Sequence, residues 1–187
     1  MILLLSGPAA AGKSTICKRL AEKHDFAPIK SSSYLRRLIE PQEREVTREI
    51  LQEIGDRLDV ETDFNWIVDD VALPQMAANQ DQQFWFVDSV RKAEQIDRFL
   101  IAFPEQVLHC HVTAPDEVLK SRLQNRSAAE GNHSYEKTFA EHNAHPNEVS
   151  ARSLGGFAEL VVDTSKDDPR SAIDAIMERV RGKCQEK

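Results

Sequence analysis

Short apolar runs alternate along the chain with longer stretches in which apolar residues recur every third or fourth position. Ile2-Leu3-Leu4-Leu5-Ser6 is almost continuously apolar and is broken by Gly7 and Pro8. That pattern predicts a strand buried on both faces, as in a parallel sheet. Phe84-Trp85-Phe86-Val87, ending at Asp88, reads the same way, as do Val107 to Thr113 and Leu160-Val161-Val162. Phe26 to Lys30 predicts a shorter strand, which Pro28 assigns to an edge or an end because proline cannot donate to a ladder.

Helical periodicity fills the intervals. Lys13 to about His24 carries Ile16 and Leu20 one turn apart. The serine triplet Ser31-Ser32-Ser33 is a good helix start, and a helix from Tyr34 to about Glu40 would end at Pro41. Glu43 to Leu58 places Val46, Ile50, Leu51, Ile54 and Leu58 on one stripe. Thr62 or Asp63 can cap a further helix carrying Phe64, Ile67, Val68 and Val71, which Pro74 is expected to kink or end. Lys92 to Phe103 predicts another. Pro115 opens one through Asn125, and Pro169 opens a last one with Ile173, Ile176, Met177 and Val180 on one face. Arg126 to Gly156 is polar and rich in His, Asn and Ser, and is expected to be a mobile, partly helical excursion.

Strands alternating with amphipathic helices define an α/β class: three layers, with a central parallel sheet of about five strands flanked by helices. The 187 residues suffice for one domain over 1–187. Two departures from a minimal layout stand out, a helical insertion at about 31–80 and a lid-like excursion at about 126–156.

Composition narrows the function classes. The chain is 41% hydrophobic and 29% charged, with a formal net charge of −7. An acidic protein gains nothing from the field of a polyanion, which argues against a polymeric nucleic acid partner. No apolar run approaches the roughly 20 residues that span a bilayer. The opening Ile2 to Leu5 is too short for a secretory core and has no basic region before it. The expectation is a cytoplasmic protein without a membrane partner, as monomer or homodimer. Cys17, Cys110 and Cys184 form no CxxC pair and read as reduced, structural thiols. His133, His142 and His145 match no zinc spacing.

The chemistry concentrates in Gly7-Pro8-Ala9-Ala10-Ala11-Gly12-Lys13-Ser14, which fits G-x-x-x-x-G-K-[ST] at every position and lies between a predicted strand and a predicted helix. Glycines let the backbone bend and approach phosphate oxygens, and the amides of the loop and helix start point at the anion. Lys13 is expected to reach the β- and γ-phosphates of ATP. Ser14 is expected to ligate Mg²⁺, and Thr15 to add a contact at the α-phosphate. Asp88, at the end of a strand, would stand at the carboxyl edge of the sheet, where α/β ligands sit. There it can hold a Mg²⁺-bound water or take a proton from a nucleophile. Arg91 would lie near the same edge and can clamp a phosphate. Arg122 and Arg126, four residues apart, share one helical face and can close over a transferring phosphoryl group.

With these residues the chain resembles the nucleoside-monophosphate-kinase-like group of P-loop kinases, which includes adenylate kinases, phage deoxynucleoside-monophosphate kinases and dephospho-coenzyme-A kinases. In that group a serine/threonine-rich segment and an arginine on the second helix hold the acceptor. The resemblance implies this role for Ser33 and Arg37. Asp88-Ser89-Val90-Arg91 is similar to the group's aspartate and arginine after the third strand, and Arg122 and Arg126 to its lid arginines. His145-Pro146-Asn147-Glu148 and the strand leading to Asp163-Thr164-Ser165 look like its final pattern, where a loop borders the adenine. The implied activity is transfer of the γ-phosphoryl group of ATP to a small, nucleotide-like phosphate acceptor.

Three alternatives stay open. A hydroxyl acceptor, such as dephospho-coenzyme A or a modified nucleotide, would require Asp88 as base. A non-catalytic nucleotide sensor is the second. A GTPase-like switch is the third: Ser165-Lys166-Asp167-Asp168 fits a guanine-reading pattern, but no D-x-x-G accompanies it.

Overall fold

The computed structural model of the chain describes residues 1–39, 46–129, 139–166 and 168–185. Five strands form one parallel sheet: β1 (Ile2–Ser6), β2 (Phe26–Pro28), β3 (Phe84–Val87), β4 (Val107–Thr113) and β5 (Leu160–Asp163), in the spatial order β2-β3-β1-β4-β5. The expected strand positions hold, and Pro28 sits on the edge strand. Around the sheet run α1 (Lys13–His24), α2 (Ser31–Ile39), α3 (Arg48–Glu61), α4 (Leu73–Ala77), α5 (Ala93–Ala102), α6 (Asp116–Ala129), α7 (Phe139–Asn143), α8 (Pro146–Ser153) and α9 (Arg170–Gln185).

The side-chain period of two along β1 divides the core between the two faces of the sheet. Ile2 and Leu4 pack with Ile39, Ile54, Trp66 and Phe99 from the α2–α5 side. Leu3 and Leu5 pack with Ile16, Leu20, Leu119 and Ile176 from α1, α6 and α9. All four β1 side chains are at most 1% exposed, so each contributes about 1.5–3 kcal/mol of apolar burial. That burial holds the strand rigid where it delivers the chain into Gly7. Because β3 flanks β1 on one side and β4 on the other, the loop after β1 leaves the sheet at the point where strand order reverses, which opens a crevice for a ligand.

The structure corrects three expectations. Pro74 does not end its helix. The chain widens into a π-helical segment, Ile67–Ala72, in which the Leu73 amide bonds back to the Val68 carbonyl, and α4 then continues through Pro74. The extra residue in the turn relieves the clash a proline ring makes with the carbonyl four residues earlier. The second change is that α6 runs to Ala129 rather than Asn125. Finally, the polar excursion stops well before Gly156: α8 and the 3₁₀ turn Leu154–Phe157 bury Asn147, Glu148, Ala151 and Leu154 against the body. Residues 130–138 of that excursion, with His133, lie outside the described residues, as do the expected helix end at Pro41 and helix start at Glu43. Among the described residues no helix is long and apolar enough to cross a membrane.

Candidate active site

The turn after β1 is shaped by backbone geometry. Gly7 has φ of 126°, and a Cβ there would meet the Val112 carbonyl oxygen at 2.0 Å, so only glycine fits against β4. Gly12, at φ 94°, turns the chain into the first turn of α1. Ala10 adopts φ 62° without being glycine, a conformation that costs on the order of 1 kcal/mol. The loop keeps it because neighbours hold it from both sides. Thr164 Oγ1 donates to the Ala11 carbonyl at 2.6 Å. Arg122 reaches Thr164 Oγ1 at 3.1 Å, the Thr164 carbonyl at 2.5 Å and the Ala10 carbonyl at 3.5 Å.

Inside this arch Lys13 Nζ donates to the carbonyls of Gly7 at 2.6 Å and Pro8 at 2.8 Å. Burial pulls the Lys13 ammonium down to about 8; Glu148 and Asp88 raise it and Arg91 lowers it. A cation held at a desolvation cost, with its donors on backbone oxygens, is poised to exchange those partners for an anion. Ser14 and Thr15 present exposed hydroxyls on the first turn of α1.

A cavity of about 480 Å³ opens over the loop. Gly7, Ala9 to Thr15, Asp88, Arg91, Arg122 and Arg126 all line it. Every residue singled out for the donor phosphates is therefore gathered at one place, on elements as distant in sequence as β1, β3 and α6. A second cavity, of about 210 Å³, lies on the α2–α3 side and shares Arg91 with the first. The two acceptor residues expected on α2 are not at either cavity. Ser33 is exposed, and Arg37 is exposed with its guanidinium 5.8 Å from the Tyr34 ring. Ser31 and Ser32 face the second cavity instead, with Ser31 Oγ 3.1 Å from Ser89 Oγ. The apolar stripe of α2 explains this. Leu35 and Ile39 are its buried positions, and one turn back along the same face is Ser31.

Sequence reasoning missed Glu148. It is 6% exposed, lines the large cavity, and its Oε2 accepts the Ala9 amide at 2.9 Å. His145 caps the same helix, its Nδ1 accepting the Asn147 amide at 3.3 Å, while its Nε2 lies 3.2 Å from Gln52 Nε2. His145 is thus committed to shaping α8. Also missed was a polar cluster below the loop. Ser6 Oγ lies 2.8 Å from His109 Nε2 and 2.9 Å from His111 Nδ1, with all three residues at most 5% exposed. A third missed feature is Asp59, 2% exposed, which accepts from Trp66 Nε1 at 2.7 Å, Lys92 Nζ at 2.7 Å and Gln95 Nε2 at 3.3 Å. Cys17 and Cys110 are buried, and burial pushes both thiols up to about 12, which keeps them protonated.

A family model described as an AAA domain matches residues 3–144, well over half of the chain and inclusive of the loop, β3, β4 and α6. The chain belongs to this AAA-domain family. No curated protein matches it. Among solved structures it is similar to a gluconokinase from Sinorhizobium meliloti 1021, with a TM-score of 0.55 and 13% identity over 99% of this chain and 96% of that one. It is likewise similar to a sugar kinase from Janibacter sp. HTCC2649, with a TM-score of 0.53 and 18% identity over 95% and 92% of the two chains. At these identities what is shared with this AAA-domain protein is the fold.

Proposed function

We propose that the chain is an ATP-dependent kinase that transfers a γ-phosphoryl group to a small acceptor, a nucleoside or deoxynucleoside monophosphate. The observation that carries this reading is the pair of cavities with a common arginine wall at Arg91, one over a phosphate cradle and one beside it. In this reading Lys13 leaves the Gly7 and Pro8 carbonyls for the β- and γ-phosphates, and the amides from Ala9 to Thr15 take the remaining oxygens. Arg122 and Arg126 neutralise charge on the transferring group, and Arg91 orients the acceptor phosphate. The acceptor oxygen forms its bond to the γ-phosphorus as the bridge oxygen to the β-phosphate departs, so that ADP leaves. A phosphate acceptor is already a competent nucleophile, and catalysis is mostly positioning and charge neutralisation. The free Ser14 hydroxyl and the Asp88 carboxylate are hard oxygen donors that fit Mg²⁺, which would supply charge neutralisation at the phosphates when bound. Ser33 and Arg37 have no part in this resting arrangement; Ser31 and Ser32 take the place expected of Ser33.

A coupled ADP-release screen with ATP-Mg and a panel of nucleoside and deoxynucleoside monophosphates tests the reading. At least one monophosphate is expected to raise turnover far above the ATP-only background, and a flat panel would sink the acceptor assignment. A second reading, a hydroxyl acceptor, is favoured by the exposed Asp88 carboxylate at the rim of the large cavity and by the names of the gluconokinase and sugar kinase neighbours. Dephospho-coenzyme A and a sugar acid belong in the same panel for that reason. Asp88→Asn separates the two, since a hydroxyl needs a base and should lose about 10²–10⁴ in rate, while a phosphate acceptor should lose far less.

A further inference from the structure

One lining residue of the second cavity is largely buried, and no described residue engages its carboxamide. Asn147 is 7% exposed and lines that cavity, and its carboxamide makes no hydrogen bond among the described residues. Its neighbours in the chain fix it there. His145 caps the Asn147 amide and contacts Gln52 of α3, and Glu148 is tied to the Ala9 amide. The side chain between these two anchors therefore has little freedom to turn toward solvent.

Several of the cavity's other polar groups are already engaged. Asp59 serves Trp66, Lys92 and Gln95; Lys92 is held by Asp56 and Asp59; Ser31 and Ser89 face one another. The Lys92 ammonium pairs with both carboxylates and offsets one of their two charges. Open among the described residues are the Ser32 hydroxyl and the largely buried Asn147 carboxamide, an acceptor and a two-hydrogen donor in one plane, beside the apolar walls of Leu35, Leu51 and Ile67. Buried polar groups are nearly always satisfied, so an unpartnered one at a cavity wall marks where a ligand completes the set.

We propose that Asn147 reads the acceptor by its heterocyclic base, bonding a planar edge that pairs one donor with one acceptor, while the acceptor's phosphate lies toward Arg91. This rests on the kinase reading above and deepens it. A flat base fits between the apolar walls of Leu35, Leu51 and Ile67 with its edge toward the Asn147 carboxamide.

The test uses the full chain, ATP-Mg and monophosphates that differ only in an amino or keto group at the base edge, CMP against UMP and AMP against IMP. The wild type is expected to favour one member of a pair at least tenfold in kcat/KM. Asn147→Asp, which replaces the donor by an acceptor, should shift that ratio at least tenfold toward the other member. Asn147→Ala should raise the acceptor KM and abolish the preference, with the KM for ATP unchanged. Asn147→Ser keeps the test available should Asn147→Asp not fold, and should weaken the preference in the same way. Variants that keep the wild-type preference and acceptor KM overturn the inference. So does a wild type that turns over only a non-nucleotide acceptor, in which case the kinase reading survives and the base reading falls. If ATP itself does not bind, the kinase reading is what has failed.

Discussion

Acidification should weaken this fold through one residue, His111, and the size of the effect follows from its surroundings. His111 is 5% exposed and packs under the loop with Ser6 Oγ on its Nδ1 and the Gly155 backbone against its ring. Burial, and then the charges of His109 and Lys13, pull its imidazole down to about 4. His109 moves the same way through burial, opposed by the Phe157 carbonyl and Glu159. A folded-state value below the unfolded one, near 6.5, means that the unfolded chain binds the proton more tightly between pH 6.5 and 4. Stability supplied by keeping the ring neutral is complete above pH 6.5 and drains away as the pH falls through that window. From pH 7 to pH 5 the difference amounts to about 2 kcal/mol for His111, or about 1 kcal/mol if water penetration halves the shift.

Urea unfolding of the wild type and of His111→Asn at pH 7 and pH 5, at fixed ionic strength, measures this. Asparagine keeps a polar group near the Nδ1 position and does not titrate. The variant should therefore be less stable at pH 7 yet lose about 1–2 kcal/mol less than the wild type on going to pH 5. Carboxylates titrate in both proteins and cancel in the comparison, so the difference reads the His111 ring together with its coupling to His109. Equal losses in the two proteins would refute the assignment of acid sensitivity to this ring.

Other substitutions carry equally definite expectations. Lys13→Met should raise the melting temperature, because the buried ammonium is held below its ordinary value at a cost of about 3 kcal/mol, and should lower ATP affinity at least a hundredfold by calorimetry; a variant with unchanged affinity would refute the phosphate role. Glu148→Gln removes a carboxylate bonded to the cradle amide of Ala9. That charge repels a phosphate bound at the same loop amides, so a fluorescent nucleotide should bind about fivefold tighter, a gain of about 1 kcal/mol, and weaker binding would mean that the carboxylate serves the bound state instead. Asp59→Ala leaves Lys92 and the Trp66 indole without their buried partner and should cost about 3 kcal/mol in urea unfolding, with Asp59→Asn intermediate; a neutral result would show that the cluster is dispensable.

The legible parts of the molecule were those where local chemistry and global packing demand the same residues. β1, β3 and β4 are buried on both faces and read as continuous apolar runs. The loop from Gly7 to Ser14 is dictated by close backbone approach, and Lys13, Asp88, Arg91, Arg122 and Arg126, which stand out in the sequence, all line one cavity. Orientation around a helix axis was harder to read. Successive residues of a helix are turned by about 100°, so moving from Ser31 to Ser33 rotates the hydroxyl by about 200° and takes it from the cavity to solvent. The π-helical segment was illegible because a proline after an apolar stripe predicts a stop or kink far more readily than a widened turn. Residues 146–156 fall in the polar stretch that predicts an excursion, because polarity alone does not separate a solvated face from a buried, partnered one.

That misreading points to a more general use of the pattern. In α8 and the turn after it the buried positions are Asn147, Glu148, Ala151 and Leu154, a helical stripe whose first two members are polar. In β4 the buried run Val107 to Val112 includes His109 and His111, and β1 ends in buried Ser6. Each of these polar residues sits where the period calls for an apolar one. A polar group there loses its water, so it persists only with a partner. Ser6, His109 and His111 find partners in one another, Glu148 finds the loop amide, and the Asn147 carboxamide finds none among the described residues. The same stripe that made the segment look unremarkable therefore ranks its members: a polar residue on a buried face is structural when its bonds are filled from within and points to a ligand when they are not. By that criterion α8, rather than α2, is the element from which the proposed kinase would read its acceptor.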